Sequence, residues 1–166
     1  MSEVGNKTRE AFQYLGRPSE IIWNITHKCN LLCRRCYLNA DCHRAANELS
    51  SEEALNLVRR TGEVKVPLLF LTGGEPFLRK DLFAILAEAK KQGIRTIIST
   101  NGTLIDDAAA DKLVEYSVDY VPNSLYGPEK FHDQYVMVPG TFKRVVATIE
   151  RLQKQGIKCE VCFNSS

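Results

Sequence analysis

The 166-residue chain has no long hydrophobic run. Its longest uninterrupted apolar stretches, Val66 to Leu71 and Leu82 to Ala87, have six residues each, where a spanning helix needs about 20 and a secretory signal needs an apolar core of about 7–15 near its start. Neither a membrane span nor export is expected, so the chain reads as cytoplasmic. An excess of one charge sign is also missing: 22 Lys and Arg face 20 Asp and Glu. That balance gives no electrostatic footprint for a nucleic-acid backbone or an acidic membrane, and neither partner is expected. No low-complexity linker divides the sequence. An eight-unit β/α barrel typically takes about 250 residues and is out of reach. What remains, with 44% hydrophobic and 25% charged residues, is enough for one packed domain. The six cysteines lack a secretory context and read as thiols or metal ligands rather than disulfides.

Strand and helix signals alternate. Residues 1–20 are mostly polar and read as a loosely attached leader, after which the β-branched and aromatic Ile21 to Ile25 form a first strand. Ser50 and Glu53 make a capping box, with Ala54, Leu55 and Val58 on one face and Gly62 as a stop. Val66 to Leu71 predicts a buried strand, and Asp81 caps a helix with Leu82, Ile85, Leu86 and Ala89 in register up to Gly93. Ile94 to Ser99 is a third strand, and Asp106 opens the next helix. Val118 to Leu125 is a fourth strand, followed by a loop carrying His132 and Asp133 as surface residues. Thr141 caps a last helix that Gly156 closes, and Ile157 to Phe163 is a fifth strand. The pattern predicts an α/β fold of four βα units plus a fifth parallel strand.

Cys29, Cys33 and Cys36 form C-x3-C-x2-C immediately after the first strand, at the end of a parallel sheet where ligands bind. Three identities are open for the triplet. It could be reduced thiols, a zinc site recruiting His27, Cys42 or His43 as fourth ligand, or an iron–sulfur cubane with one iron left to a non-protein ligand. Cys159 and Cys162 also form C-x2-C, but on a strand they point to opposite faces and are not a site. Cys42 reads as a free thiol.

The stretch WNITHKCNLLCRRCY, with LTGGEP at Leu71 to Pro76 and STNG at Ser99 to Gly102, resembles the radical S-adenosylmethionine (SAM) enzymes. The SLYGPEKFHD segment looks like members, including SPASM-type proteins, that modify tetrapyrrole side chains in haem biosynthesis or ribosomally made peptides. The resemblance implies a partial radical SAM barrel in which Cys29, Cys33 and Cys36 hold a [4Fe-4S] cluster. In the family the cluster's open iron is chelated by S-adenosylmethionine, and one electron then yields a 5'-deoxyadenosyl radical that abstracts a substrate hydrogen. An electron donor such as ferredoxin or flavodoxin is implied. Gly73, Gly74 and Glu75 match the segment that contacts the methionine amino group; two glycines admit close backbone approach, and a carboxylate accepts from the amine. Thr100, Asn101 and Ser124 match positions lining the S-adenosylmethionine or substrate side.

The sequence also departs from the family. Arg35 stands where an aromatic residue usually flanks the adenine, although a guanidinium plane can stack in its place. In the fourth strand Pro122 deletes a ladder hydrogen bond, and Asn123 places an amide among apolar neighbours under the helices. The family core has six units, and its sixth strand helps hold the adenine. Residues 21–166 are therefore expected to form a radical SAM core incomplete at its carboxyl end, with weakened binding or uncoupled cleavage. The alternative is a truncated, non-catalytic remnant that only binds an iron–sulfur cluster or zinc.

Overall fold

The computed structural model describes residues 16–40 and 48–162. Most of the expected leader, together with Cys42, His43 and Phe163, lies outside the described residues. Five strands alternate with helices: β1 (Ile21–Thr26), α1 (Ser51–Glu63), β2 (Leu68–Gly73), α2 (Leu82–Lys91), β3 (Arg95–Ile98) and α3 (Asp107–Glu115). Then come β4 (Val121–Ser124), α4 (Glu129–Val136), α5 (Thr141–Lys154) and β5 (Cys159–Cys162). Every strand pair is parallel, β1 with β2, β2 with β3, and β4 with β5. Ile25, Leu69, Leu71, Ile98 and Val121 pack under the helices against Val58, Leu86, Leu113 and Leu152, all buried. The α/β fold expected from the alternation is therefore present.

Between β3 and β4 the ladder is broken, and Pro122 is the cause. Ile98 N donates to the Tyr120 carbonyl, Thr100 N to Pro122, and Ser124 N to Thr100. In that alternation the amide of residue 122 would meet the Ile98 carbonyl, and proline has none to give. Only isolated bridges, Ile97 to Tyr120 and Thr100 to Asn123, therefore join a three-stranded and a two-stranded sheet. Asn123 is fully buried as expected; its Nδ2 donates to the Val121 carbonyl at 2.8 Å, while its Oδ1 has no hydrogen-bond partner. A buried orphan acceptor costs about 1–3 kcal/mol. Replacing Asn123 with valine should therefore raise the unfolding free energy by about 1 kcal/mol, and the thermal midpoint by about 2–4 °C. A calorimetric midpoint at or below the wild-type value would show that the amide is satisfied in solution.

Several caps differ from the sequence expectation. The Ser50 and Glu53 capping box forms, but α1 runs through Gly62, and the left-handed residue after it is Lys65. Gly62 serves packing: a Cβ there would lie 2.8 Å from the Gln92 Cβ. Asp81 precedes α2, but its carboxylate accepts from Arg79 and caps no backbone amide. Thr141 is the first residue of α5 and not its cap, which is Gly140 at φ 76°. The cap's work is done by Asp133, whose carboxylate accepts from Gly140 N, Phe142 N and the Thr141 hydroxyl. Burial raises the Asp133 carboxyl, yet those donors prevail and hold it at about 2.

The largest correction is α4, which occupies the stretch expected to be a loop. His132 is accordingly not a surface residue; it is buried, and only 1% of its surface is exposed. Its imidazole stacks on Tyr126 and meets the Phe142 ring edge-on.

Candidate metal centre

The cysteine loop leaves β1 at a bulge between Asn24 and Thr26, and both ends of the loop are clasped. The Glu48 carboxylate accepts from the Thr26 hydroxyl at 2.8 Å and from His27 N at 2.9 Å. Arg79 donates to the Ile25 carbonyl at 2.6 Å and to the Leu49 carbonyl at 2.9 Å. Arg79 is also paired with Asp81 and set 5.5 Å from the Trp23 ring centre. Neither Glu48 nor Arg79 carries a sequence signal, because each acts on partners more than 20 residues away. Arg79→Lys keeps the charge but cannot reach these directions with one fork. It should cost about 1–2 kcal/mol in urea unfolding, and wild-type stability would contradict the clasp.

The middle of the loop rests on α4. Leu32 N donates to the Val136 carbonyl and Arg34 N to the Tyr135 carbonyl, so carbonyls left over at a helix end hold the cysteine backbone. Cys29 is buried, whereas Cys33 and Cys36 are half-buried, in an apolar cluster with Leu31, Ala40, Tyr126, Tyr135 and Val136. Two of the sulfurs accept hydrogen bonds: Cys29 from Leu31 N at 3.5 Å and Asn101 Nδ2 at 3.8 Å, and Cys36 from Ala40 N at 3.4 Å. Burial pushes the Cys29 thiol up, and burial reinforced by the charges of Cys29 and Cys36 pushes Cys33 up to about 11. Thiols raised by burial and by neighbouring thiolates, as Cys29 and Cys33 are, favour a cationic partner that removes their protons.

The Gly-Gly-Glu segment runs against this loop. Gly74 N donates to the Thr26 carbonyl at 2.8 Å and Glu75 N to the Lys28 carbonyl at 2.7 Å. A Cβ on Gly73 would come within 2.4 Å of the Thr26 carbonyl oxygen, and one on Gly74 within 2.2 Å of that of Lys28. The close approach these glycines allow is thus first of all to the cysteine loop itself. Glu75 is wholly buried: its Oε1 accepts from Phe77 N and the Thr100 hydroxyl, and its Oε2 from Asn101 N at 2.8 Å. Burial outweighs these donors and pushes its carboxyl up to about 7.

Asn101 completes the link, because its Nδ2 also donates to Asn30, while its Oδ1 accepts from Thr103. The expected residues Gly73, Gly74, Glu75, Thr100 and Asn101 therefore meet Cys29 in one network. Ser124 ends β4, half-buried, with its amide on the Thr100 carbonyl. Arg35 is exposed on the loop. Cys159 packs toward the core and Cys162 is exposed beside Ser124 on the other face, as the strand period requires.

Among the described residues no three His, Cys, Asp or Glu side chains converge to hold a single metal ion. A tetrahedral zinc needs that convergence, whereas a cubane spreads its cysteines over separate irons. The donor set fits the larger object: three soft thiols on one loop, two of them with hydrogen-bond donors on their sulfurs, on an apolar floor.

Comparison with known proteins agrees. The model of the Radical SAM superfamily matches residues 23–165. Fe-coproporphyrin III synthase of Methanosarcina barkeri is 39% identical over 143 residues, which cover 86% of this chain and 36% of that protein. Pre-heme d1 synthase of Dinoroseobacter shibae is 36% identical over 149 residues, 89% of this chain and 37% of the relative. The chain thus spans less than two fifths of the length of these two relatives. Streptococcus suis SuiB bound to S-adenosylmethionine superposes with a TM-score of 0.77 at 21% identity, covering 94% of this chain and 37% of SuiB. Native anSMEcpe with bound AdoMet gives 0.72 at 24% identity, over 86% of this chain and 42% of that one. The matched domain, the cysteine loop and the parallel β/α architecture agree, and the chain belongs to the radical SAM superfamily, whose members use a [4Fe-4S] cluster and S-adenosylmethionine.

Proposed function

We propose that this chain is the cluster-binding portion of a radical SAM enzyme acting on a tetrapyrrole. Cys29, Cys33 and Cys36 are its cluster ligands. The observation that carries this reading is the loop itself: three cysteines clasped at both ends and set on α4, against the Gly-Gly-Glu segment. When bound, the cluster and S-adenosylmethionine supply a one-electron cleavage and a 5'-deoxyadenosyl radical for hydrogen abstraction.

The chain's own residues orient and shield. Glu75 uses three of about four acceptor sites on internal donors, leaving one for the methionine ammonium beside the Gly73 and Gly74 backbone. Thr100, Asn101 and Ser124 lie at strand ends facing the same side, and Arg35 offers a guanidinium plane to the adenine. A tetrapyrrole is favoured over a peptide because Fe-coproporphyrin III synthase and pre-heme d1 synthase share more of this sequence than the PqqA peptide cyclase of Granulibacter bethesdensis, 34% identical over 104 residues. The electron would come from a ferredoxin or flavodoxin. The site of action would be the cytoplasm, consistent with the described residues holding no helix long and apolar enough to cross a membrane.

The test is anaerobic reconstitution with iron and sulfide, followed by dithionite and S-adenosylmethionine. Formation of 5'-deoxyadenosine supports the reading, and a cluster that forms without any cleavage removes the activity.

A further inference from the structure

The segment after β3 shares a closed circuit of side chains with the cysteine loop. Asn101 Nδ2 donates to Asn30 Oδ1 at 2.8 Å, Asn30 Nδ2 to the Thr103 hydroxyl at 2.8 Å, and that hydroxyl to Asn101 Oδ1 at 2.7 Å. Thr103 N also donates to Asn101 Oδ1, at 2.9 Å. A backbone amide can only donate, so the Asn101 oxygen must face Thr103 and its nitrogen the cysteine loop. The backbone of Asn101 is pinned as well, because its own amide donates to the buried Glu75 Oε2 at 2.8 Å. The circuit and Thr103 N thus occupy the oxygen and one N–H of the side-chain amide. Its second N–H has the Cys29 sulfur as partner at 3.8 Å, and both residues are buried. Cys36 accepts from Ala40 N of its own loop, whereas Cys29 accepts in addition from a side chain delivered by another strand end.

We propose that Asn101 is a positioning residue whose side-chain N–H donates to the cluster-bound Cys29 thiolate and so sets how readily the cluster accepts an electron. The proposal rests on the reading of the three cysteines as cluster ligands. It goes beyond the place the resemblance gives this residue, because the amide is committed to Cys29, Asn30 and Thr103. A hydrogen bond to a ligating sulfur withdraws charge from it and favours the reduced cluster, because reduction adds negative charge that the donor stabilises. The closed circuit fixes the donor in place, so no ordering is needed when the electron arrives. Burial keeps water from taking over the bond if the donor is removed.

The experiment is a potentiometric titration, followed by electron paramagnetic resonance, of the full reconstituted chain as wild type, Asn101→Ala, Asn101→Asp and Asn30→Ala. S-adenosylmethionine is left out, so that contact between residue 101 and that molecule does not enter. In Asn101→Ala the ratio of reduced to oxidised cluster at a fixed ambient potential should fall about tenfold, equivalent to ~59 mV for a one-electron couple. Asn101→Asp keeps the acceptor for Thr103 but loses the N–H, and its ratio should fall at least as far. Asn30→Ala opens the same circuit yet leaves Asn101 held by Thr103 and donating to Cys29, so it should titrate like wild type. Iron content should be unchanged throughout. Ratios within about twofold of wild type in both Asn101 variants, an equal fall in Asn30→Ala, or loss of iron from both Asn101 variants would overturn the inference while leaving the cluster reading intact. A wild-type chain that takes up no cluster would overturn both.

Discussion

Glu75→Ala is expected to lower the unfolding free energy of the metal-free chain by about 4 kcal/mol, because three buried donors lose their acceptor at once. Those donors are Phe77 N, the Thr100 hydroxyl and Asn101 N, and they come from the turn after β2 and the end of β3. A domain of this size is typically stable by about 5–15 kcal/mol, so the loss would leave it marginal at 25 °C. The same residue supplies a pH dependence with a definite sign. Its carboxyl moves from an ordinary 4.5 to about 7 on folding, through burial. The folded chain therefore binds the extra proton, and this group's stabilisation is fully present below about pH 4.5 and lost as pH rises through about 7. A shift of this size corresponds to about 3 kcal/mol. Urea unfolding at pH 5 and pH 8 should show the wild type losing more stability toward pH 8 than Glu75→Ala does. Equal losses would mean that Glu75 is ionised throughout and held by its donors alone.

Replacing any one of Cys29, Cys33 or Cys36 by alanine should reduce reconstituted iron from about four per chain to near zero, because a cubane with only two protein ligands is not retained. The metal-free fold should tolerate these changes unequally. Cys29 is buried, and two donors lie on its sulfur, so its alanine variant should unfold earlier by about 1–2 kcal/mol. Cys33 and Cys36 are half-buried, and their variants should lie within about 1 kcal/mol of wild type. Cys159→Ala and Cys162→Ala should keep full iron, because these side chains sit on opposite faces of β5 away from the loop. Iron retained by the Cys33 variant, or lost on changing Cys162, would move the site elsewhere.

The strands and four of the five helices were legible from periodicity and local caps, because Ser50, Asp106, Gly93 and Gly156 act within a few residues of themselves. The fourth helix was hidden because it has only eight residues, about two turns, past Pro128, and its two buried residues, His132 and Val136, give too brief a stripe. The departures at Pro122 and Asn123 were readable, since a missing amide and a polar residue in an apolar register are local facts with fixed consequences.

The cysteine triplet was equally plain in the sequence; its support was not. Arg79 and Glu48 reach partners brought near only by the fold, and Asp133 reaches across the turn before the last helix. A pattern of residue types cannot announce them. Even the paired glycines carried a second meaning, since the family resemblance suggested room for a ligand and the packing shows the cysteine loop already filling that room.

The most direct measurement is iron and zinc content per chain after anaerobic reconstitution, with the resonance spectrum of the reduced sample recorded before and after adding S-adenosylmethionine. The account predicts about four irons and a [4Fe-4S] signal that changes when S-adenosylmethionine binds the open iron. One zinc per chain, or a cluster signal indifferent to S-adenosylmethionine, would contradict it.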